Sequence, residues 1–237
     1  MPRFYCPPPL TSGLAVDLPE AVAHHLHVLR LPPGAPLTLF DGRGGEYAAT
    51  LLECGKRRAS ALVGAHAARE AELPYAVTLA QGLPEGAKMD WIVEKAVEMG
   101  VAAVQPVAAR RSVVKLAGER AERKVAHWEA IVTAASEQCG RNRLMRIAAP
   151  LPLERCLAGA PALLLSPRGT LGLADWARRE SPRDLTLLIG PEGGYAPEEE
   201  AAALAAGAVA VSMGARVLRT ETAAVAALGM LAGCWMS

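Results

Sequence analysis

The chain has 237 residues, of which 51% are hydrophobic and 21% charged, and its formal net charge is +1. These values are typical of a globular protein with one large or two small domains. The five cysteines are odd in number and contain no C-x-x-C pair, which argues against a disulfide framework or a zinc site. The sequence does not open with a basic and then apolar segment, and its longest apolar run, residues 223–236, is too short to cross a bilayer. We therefore expect a cytoplasmic protein without a membrane partner.

The first part of the chain, up to residue 68, has the pattern of a small β-barrel. Strands are predicted at residues 37–40, 47–52 and 59–63, and the glycine-rich residues 41–45 are typical of a hairpin turn. Those glycines lack the strand and helix context of a dinucleotide-binding loop, and the sequence contains no G-x-x-x-x-G-K-[ST] phosphate loop. Dehydrogenase and NTPase functions are therefore not expected. The charged residues 69–74, which end in proline, indicate a linker.

From residue 75 onward, predicted strands alternate with predicted helices. The strands fall at residues 77–81, 102–107, 162–165, 185–189 and 209–212, and the helices at residues 87–99, 119–138 and from about 220. This alternation predicts a mostly parallel α/β sheet. Ligands of such sheets bind at the carboxyl ends of the strands.

Basic side chains are concentrated in the middle of the sequence. Residues 73–150 carry eleven basic and eight acidic side chains, whereas residues 1–72 carry seven of each and residues 151–237 carry seven and nine. The alternating charges of residues 119–124 are typical of a solvated helix face. The clusters at Arg110-Arg111 and Arg141-Asn142-Arg143 have few acidic residues nearby in sequence to neutralise their charge. Planar arginine head groups suit phosphates and base edges. These two clusters favour contacts with RNA.

Two glycine loops follow predicted strands near the end of the chain. Gly190-Pro191-Glu192-Gly193-Gly194 comes directly after residues 185–189, and the stretch from Met213 to Ala223 comes directly after residues 209–212. Glycine permits positive φ and a close approach of the backbone to a ligand, and the helices that follow offer unpaired N–H groups. Either loop alone is also ordinary turn chemistry. Together they predict a site for a small cofactor.

The two loops resemble the paired signature IGPEGG…LG-x-R-[IV]-LR-TETA of the RsmE family, bacterial 16S ribosomal RNA uridine-N3 methyltransferases of the knotted SPOUT class. Further segments are similar to the family pattern, so that the resemblance covers nearly the whole chain. Methionine at 99 and 213 replaces the more usual leucine, and Leu144-Met145 replaces a common Val-Pro pair. The similar segments are Pro2–Tyr5, His24–Arg30, Leu39–Gly42, Lys88–Asp90, Glu94–Val101, Arg110–Ser112 and Glu137–Asn142.

The resemblance implies the fold class and the partners. Residues 1–72 are expected to form a PUA-like RNA-binding β-barrel domain, and residues 73–237 a SPOUT methyltransferase domain whose mostly parallel sheet carries a C-terminal trefoil knot. General topology rules would have argued against such a knot. The family is also expected to form a homodimer with the cofactor site near the subunit interface, and to act on 16S rRNA of the small ribosomal subunit.

The implied cofactor is S-adenosyl-L-methionine, held mainly by backbone groups of the two glycine loops. By the family motifs, the cofactor-binding residues are Leu188, Gly190, Pro191, Glu192, Gly193, Gly194, Ser212, Met213, Gly214, Val217, Leu218 and Arg219. The implied reaction is a direct in-line methyl transfer to N3 of an unpaired uridine, which needs a proton acceptor and cationic or N–H donors, but neither a metal nor a covalent intermediate.

The catalytic candidates are Glu137, Arg141 and Arg111. Glu137 precedes Arg141 by four residues, so it is either the base, an orienter of that arginine, or half of an ordinary intrahelical ion pair. Arg219 and Glu221 are either site residues or charges that fix the loop, and Thr220 or Thr222 caps the last helix in the simplest interpretation. The predicted RNA-binding residues are Arg3, Arg30, Arg110, Arg111, Arg141, Asn142 and Arg143.

Other chemistries fit the sequence less well. His24, His25 and His27 would point to different faces of a helix, which favours a surface role over a metal site. Cys139 is expected to be a small buried thiol and not a nucleophile. Two alternative functions stay open: methylation of another RNA atom such as a ribose 2′-oxygen, and RNA binding without catalysis.

Overall fold

The computed structural model describes residues 1–157 and 161–236, and these fall into two units. The first unit comprises Met1–Glu72 and Thr133–Leu144, and the second comprises Leu73–Val132 and Met145–Ser237. The predicted division assigned residues 133–144 to the second domain, whereas their contacts group them with the first unit. That segment brings Glu137 and the Arg141 cluster into the N-terminal unit.

The first unit is built around a five-stranded sheet and one whole helix, and it also holds residues 133–139, the end of a longer helix. Its elements are β1 (Arg3–Tyr5), β2 (Ala15–Asp17), α1 (Glu20–Val28), β3 (Pro36–Phe40), β4 (Glu46–Cys54) and β5 (Ala59–Ala67). The strand order is β1-β3-β4-β5-β2, with β1 parallel to β3 and the other pairs antiparallel. The strands predicted at residues 37–40, 47–52 and 59–63 are confirmed. The short strands β1 and β2 were missed because three residues are too few to show a strand periodicity.

The core of the first unit follows from the alternation of apolar residues along the strands. Leu37 and Leu39 of β3, Leu51 of β4 and Ala61 and Val63 of β5 are buried together, in a period of two. The same core includes Ala23 and Leu26 of α1, so the helix covers this face of the sheet.

The second unit contains a seven-stranded sheet. Its elements are β6 (Val77–Gly82), α2 (Lys88–Glu98), β7 (Ala103–Val107), the first part of α3 (Gly118–Cys139), β8 (Arg146–Ile147), α4 (Leu153–Cys156), β9 (Ala162–Leu165), β10 (Leu171–Gly172), α5 (Leu173–Arg179), β11 (Leu185–Ile189), α6 (Pro197–Ala205), β12 (Val209–Ser212) and α7 (Thr220–Trp235). The strand order is β10-β12-β9-β11-β6-β7-β8, and every pair is parallel. The predicted parallel sheet is therefore confirmed, as is a helix that begins at residue 220.

The central strands of this sheet are apolar on both faces. Leu79 and Ala80 of β6, Leu164 of β9 and Leu187 and Leu188 of β11 are all buried, as expected for a parallel sheet covered by helices. These strands were predictable because they are short and mostly apolar, with only Thr78, Gln81 and Thr186 as polar residues before the final residue of each strand. None of the helices in residues 1–157 and 161–236 is long and apolar enough to cross a membrane.

Helix α7 is anchored at its far end. The indole N–H of Trp235 donates to the carbonyl of Ala177 on α5 at 2.8 Å, and the Trp235 ring meets that of Tyr75 edge to face at 4.8 Å. Helix α7 also packs against α2 and β11. These contacts fix the far end of α7 and hold the helix against the sheet.

Candidate active site

A cleft of about 570 Å³ lies in the second unit, where three neighbouring strands end. Strand β9 is hydrogen-bonded on one side to β11 and on the other to β12, and all three run in the same direction. Their carboxyl ends therefore open onto one edge of the sheet, the usual ligand position in this architecture. The volume is within the range of roughly 300–1,000 Å³ that small-molecule sites occupy.

Most residues predicted to bind the cofactor lie in the wall of this cleft. Leu188 is not in the wall because it is fully buried in the sheet, and Gly193 and Ser212 lie beside wall residues without joining them. The predicted residues found in the wall are Gly190, Pro191, Glu192, Gly194, Met213, Gly214, Val217, Leu218 and Arg219.

A third loop completes the wall, and the sequence prediction missed it. Leu165, Ser166 and Pro167 line the cleft at the end of β9. The signal was present, because the turn sequence Ser-Pro-Arg-Gly directly follows an apolar strand. The remaining wall residues, also not predicted to bind the cofactor, are Lys88, Ile189, Arg216, Thr220, Glu221 and Ala223.

Gly190 and Gly194 of the first loop are required for two different structural reasons. A Cβ on Gly190 would lie 2.8 Å from the backbone nitrogen of Tyr195, so only glycine fits where the loop folds back on itself. Gly194 has φ +67°, and a Cβ there would meet no atom of the described structure within 4 Å. Glycine therefore permits the left-handed backbone conformation at this position, and the space beside it is open to a ligand.

Thr220 ties the two glycine loops to the sheet. Its hydroxyl donates to the carbonyl oxygen of Gly190 at 2.7 Å and accepts a hydrogen bond from Nε2 of Gln81 at 2.8 Å. Thr220 and Gln81 are both buried. The prediction that Thr220 or Thr222 caps the last helix is wrong, because the cap position is Arg219 and both threonines lie within α7.

Three charged side chains face each other across part of the cleft wall. The Lys88 ammonium donates to Oε1 of Glu192, which also accepts the backbone N–H of Glu85 at 3.1 Å. Partial burial acts to raise the pKa of Glu192, but the hydrogen bonds from Lys88 and the backbone outweigh it, so the net pKa lies below its usual value. Glu221 adds a second carboxylate near Lys88.

One oxygen of Glu221 is buried without a hydrogen-bond partner among the described residues. This atom, Oε2, belongs to a residue in the cleft wall, at the start of α7. Buried polar atoms in proteins are nearly always hydrogen-bonded, so a buried acceptor in a cleft wall is suited to a donor carried by a ligand.

Arg111 contacts the first glycine loop from outside the cleft wall. Its Nη1 donates to the carbonyl of Gly193 at 3.0 Å, and the side chain is otherwise exposed. The neighbouring Arg110 is also exposed, while its backbone N–H donates to the buried carboxylate of Glu199 at 2.9 Å. The Arg110-Arg111 cluster is therefore placed next to the glycine loop with its cations accessible.

Glu137 lies in the first unit and is partly buried. Burial raises the pKa of its carboxyl group, although the backbone N–H of Tyr5 donates to its Oε1 at 2.9 Å and partly offsets this effect. Helix α3 ends at Cys139, and Gly140 follows with φ +84°. The predicted intrahelical relation between Glu137 and Arg141 is therefore wrong, since Arg141 lies beyond the helix end.

Three residues predicted to contact RNA are instead engaged inside the first unit. The Arg141 side chain is 3% exposed and forms an ion pair with Glu72. Arg3 donates to Glu46 at 2.7 Å, donates to the side-chain oxygen of Asn142, and lies 4.2 Å from the ring centre of Phe40. Asn142 is fully buried. Burial of Arg141 and Asn142 argues against their predicted contact with a phosphate, and the Arg3 side chain, 11% exposed, is already paired with Glu46.

The remaining predicted side chains are more accessible. Arg30 is exposed after the end of α1, in a left-handed conformation with φ +53°, and Arg143 is exposed beside Glu70. The three histidines of α1 are exposed as well, which agrees with a surface role. Cys139 is half-buried, whereas a buried thiol was expected from the sequence.

The sequence and the fold match known proteins along nearly the whole chain. Residues 71–232 match the model of an RNA methyltransferase domain, and residues 18–63 match that of an RNA methyltransferase PUA domain. The ribosomal RNA small subunit methyltransferase E of Synechocystis sp. is 35% identical over 97% of this chain and 76% of its own length. That of Mycobacterium bovis is 34% identical over 93% of this chain and 87% of its own.

Two solved structures are similar throughout. A ribosomal RNA small subunit methyltransferase E from Neisseria gonorrhoeae, bound to S-adenosyl methionine, is 38% identical with a TM-score of 0.91, covering 99% of this chain and 98% of its own. A putative methyltransferase from Legionella pneumophila, in complex with the same cofactor, is 33% identical with a TM-score of 0.93 and the same coverage.

The fold, the cleft and the domain matches define an RNA methyltransferase with an N-terminal PUA domain. More narrowly, the chain belongs to the ribosomal RNA small subunit methyltransferase E family. The predicted family, enzyme class and PUA-like first domain are therefore confirmed.

Proposed function

We propose that the chain binds S-adenosyl-L-methionine in the cleft and methylates N3 of a specific uridine in 16S ribosomal RNA of the small subunit. The observation that carries this proposal is the cleft itself, in which two glycine loops at the ends of β11 and β12 are joined through Thr220. The buried acceptor on Glu221 fits a cofactor rich in hydroxyl and amino donors. The two similar proteins solved with this cofactor support the same choice.

The cofactor would be held by the backbone of the glycine loops and by side chains of the third loop. When bound, S-adenosyl-L-methionine supplies an electrophilic methyl group. The chain has to orient the uracil in line with that group, shield the reaction from water, and accept the N3 proton. N3 carries a hydrogen bond in paired uridine, so the base must be presented unpaired.

We assign the proton acceptor to Glu137 and the stabilising cation to Arg111. Burial raises the pKa of Glu137, which makes its carboxylate a stronger base at neutral pH than an exposed one. Loss of the N3 proton leaves negative charge on the uracil, and an exposed arginine at the glycine loop suits that charge. Arg141 is assigned to the structure of the first unit because its carboxylate partner is Glu72.

We further infer a homodimer, a trefoil knot at the C-terminal cofactor site, and a cytoplasmic location, where 16S RNA is found. Support for the dimer comes from exposed apolar residues close in sequence to site residues, Val113 near Arg111 and Val217 within the cleft wall. A second copy would remove this apolar surface from water. Analytical ultracentrifugation of the full chain tests the dimer directly.

The test of the proposed function is mass-spectrometric mapping of 16S RNA. Small subunits that lack the modification are incubated with the protein and S-adenosyl-L-methionine, and the methylated atom is identified. One methyl group on uridine N3 supports the proposal. A methyl group on a ribose 2′-oxygen or on another base would contradict the proposed substrate while keeping the methyltransferase class.

A further inference from the structure

Two exposed arginines lie side by side on the first unit. Arg43 and Arg143 form an isolated antiparallel bridge, flanked by hydrogen bonds of 3.2 Å from Gly44 N to Asn142 O and from Leu144 N to Gly42 O. Residues that face each other between such bonds form the closer type of cross-strand pair, with both side chains on one face. The Arg43 side chain is 65% exposed and that of Arg143 is 56% exposed.

Each guanidinium is held by its own carboxylate. Asp41 Oδ2 accepts from Nε and Nη2 of Arg43 at 2.8 and 2.6 Å, and the Asp41 side chain is almost fully buried. Glu70 Oε1 forms an ion pair with Nη2 of Arg143 at 3.2 Å and accepts a hydrogen bond from the backbone N–H of Gly45 at 3.1 Å. The acids are less exposed than the arginines, so the accessible part of each ion pair is the cation.

The glycine turn makes room for this arrangement. Gly44 has φ +112°, and a Cβ there would lie 2.6 Å from Nη2 of Arg143 and also overlap Glu70. The Arg143 head group therefore rests directly on the turn that carries Arg43. The segment 39–42 before this turn matches the family pattern, yet the cofactor cleft uses none of it.

We propose that Arg43 and Arg143 form a two-arginine site that binds a phosphodiester group of the RNA substrate. The two cations face the same side of the bridge, so an anion bound between them is attracted by both. Arginine heads fixed by carboxylates lose little conformational entropy on binding, and their free N–H groups match phosphate oxygens. Arg43 lies within the segment that matches an RNA methyltransferase PUA domain. The inference rests on the proposed RNA substrate and names one of its contacts.

The test compares binding of unmethylated 16S RNA, and of a single-stranded oligouridylate, to the full chain and to its variants. R43A/R143A should weaken binding of both probes by about tenfold or more, and the slope of log K against log salt should fall by about 0.7 to 0.9. R43A and R143A should be non-additive because both act on one phosphate. Arg57→Ala is the matched control, since Arg57 is an exposed arginine of the same unit and its ion pair with Glu20 is long, at 3.6 Å.

Additional variants test whether a loss of RNA binding is caused by misfolding. R43A leaves the buried Asp41 without its partner, so D41N/R43A and Arg143→Gln are tested alongside it, and thermal unfolding confirms that each variant is folded. R43K should keep most of the salt slope. Unchanged RNA affinity and salt slope in folded R43A/R143A, or an equal loss in Arg57→Ala, would overturn the two-arginine site. Methylation of N3 by the wild-type chain is measured in parallel, so that failure of the proposed function is seen independently of the arginine variants.

Discussion

The hydroxyl of Thr220 donates to the carbonyl of Gly190 at 2.7 Å, which connects the start of α7 to the first glycine loop. The same hydroxyl accepts from Gln81 at the end of β6. One side chain thus connects the two glycine loops of the cleft to each other and to the sheet. Because these groups are buried, they have no water to replace Thr220 if it is lost.

Thr220→Val should lower both stability and cofactor affinity. Valine has nearly the shape of threonine, so the change removes the two hydrogen bonds and leaves the Gly190 carbonyl and a Gln81 N–H unpaired. We expect a loss of about 1–3 kcal/mol in the free energy of unfolding. Chemical denaturation and calorimetric titration with S-adenosyl-L-methionine measure the two effects. Thr220→Ser, which keeps the hydroxyl, is the control, and equal losses in both variants would contradict the role of the hydroxyl.

Glu221→Gln should weaken cofactor binding without unfolding the chain. The change keeps the shape and removes the charge of the buried acceptor in the cleft wall. Hydrogen bonds to charged groups are worth about 1.5–3 kcal/mol, which corresponds to a loss of roughly tenfold to a hundredfold in affinity. Calorimetry with S-adenosylhomocysteine measures it. The exposed Glu198 on α6 provides the control substitution to glutamine, and unchanged affinity in the Glu221 variant would show that its carboxylate does not contact the ligand.

Arg141→Ala should act on stability more than on RNA binding. The side chain is 3% exposed and paired with Glu72, which is itself 22% exposed. Removal of one partner from a buried ion pair lowers the free energy of unfolding by about 3–5 kcal/mol. Because water can partly solvate the exposed Glu72 carboxylate, we expect a smaller loss here, of about 2–3 kcal/mol. Urea denaturation measures the loss. A folded variant of normal stability with a flatter salt dependence of RNA binding would instead restore Arg141 as an RNA contact.

The sequence was most informative where local pattern and fold agree. The ranges of β9, β11 and β12 were predicted to the residue because each is a short apolar run bounded by turn residues. The two glycine loops followed from those strands, and half of the residues in the cleft wall followed from the loops. The third loop, at Ser166, has a turn sequence of its own, but its place in the cleft was missed because the position of β9 between β11 and β12 is a property of the sheet order, which no local pattern encodes.

The arginines show a second limit of sequence reasoning. Arg141 and Arg143 are two residues apart and look alike in a basic cluster, yet one is buried and the other exposed. The difference depends on Glu72, which is distant in sequence and lies beside Arg141 only in the folded first unit. A count of charges along the sequence cannot identify such a partner, so both arginines were predicted to bind RNA.

Glu137→Gln should cut methyl transfer strongly and leave affinity for S-adenosyl-L-methionine nearly unchanged. Glutamine can still accept the hydrogen bond from Tyr5 N–H but cannot take up the N3 proton. Loss of one general base typically costs a factor of about 10²–10⁴ in rate. Single-turnover methylation at saturating cofactor measures it. A rate within a few-fold of the wild type would remove Glu137 as the base.

The pH dependence of Glu137 gives an independent check with a definite sign. Burial raises its pKa in the folded chain above the ordinary value of 4.5, so the folded state holds the proton more tightly than the unfolded state. Its contribution to stability is therefore greatest below pH 4.5 and declines as the pH rises through the raised pKa. Over the same window the methylation rate should rise, because the carboxylate is the active form. In Glu137→Gln both changes should disappear from this window, and a variant whose stability keeps the wild-type pH profile would show that another group is responsible.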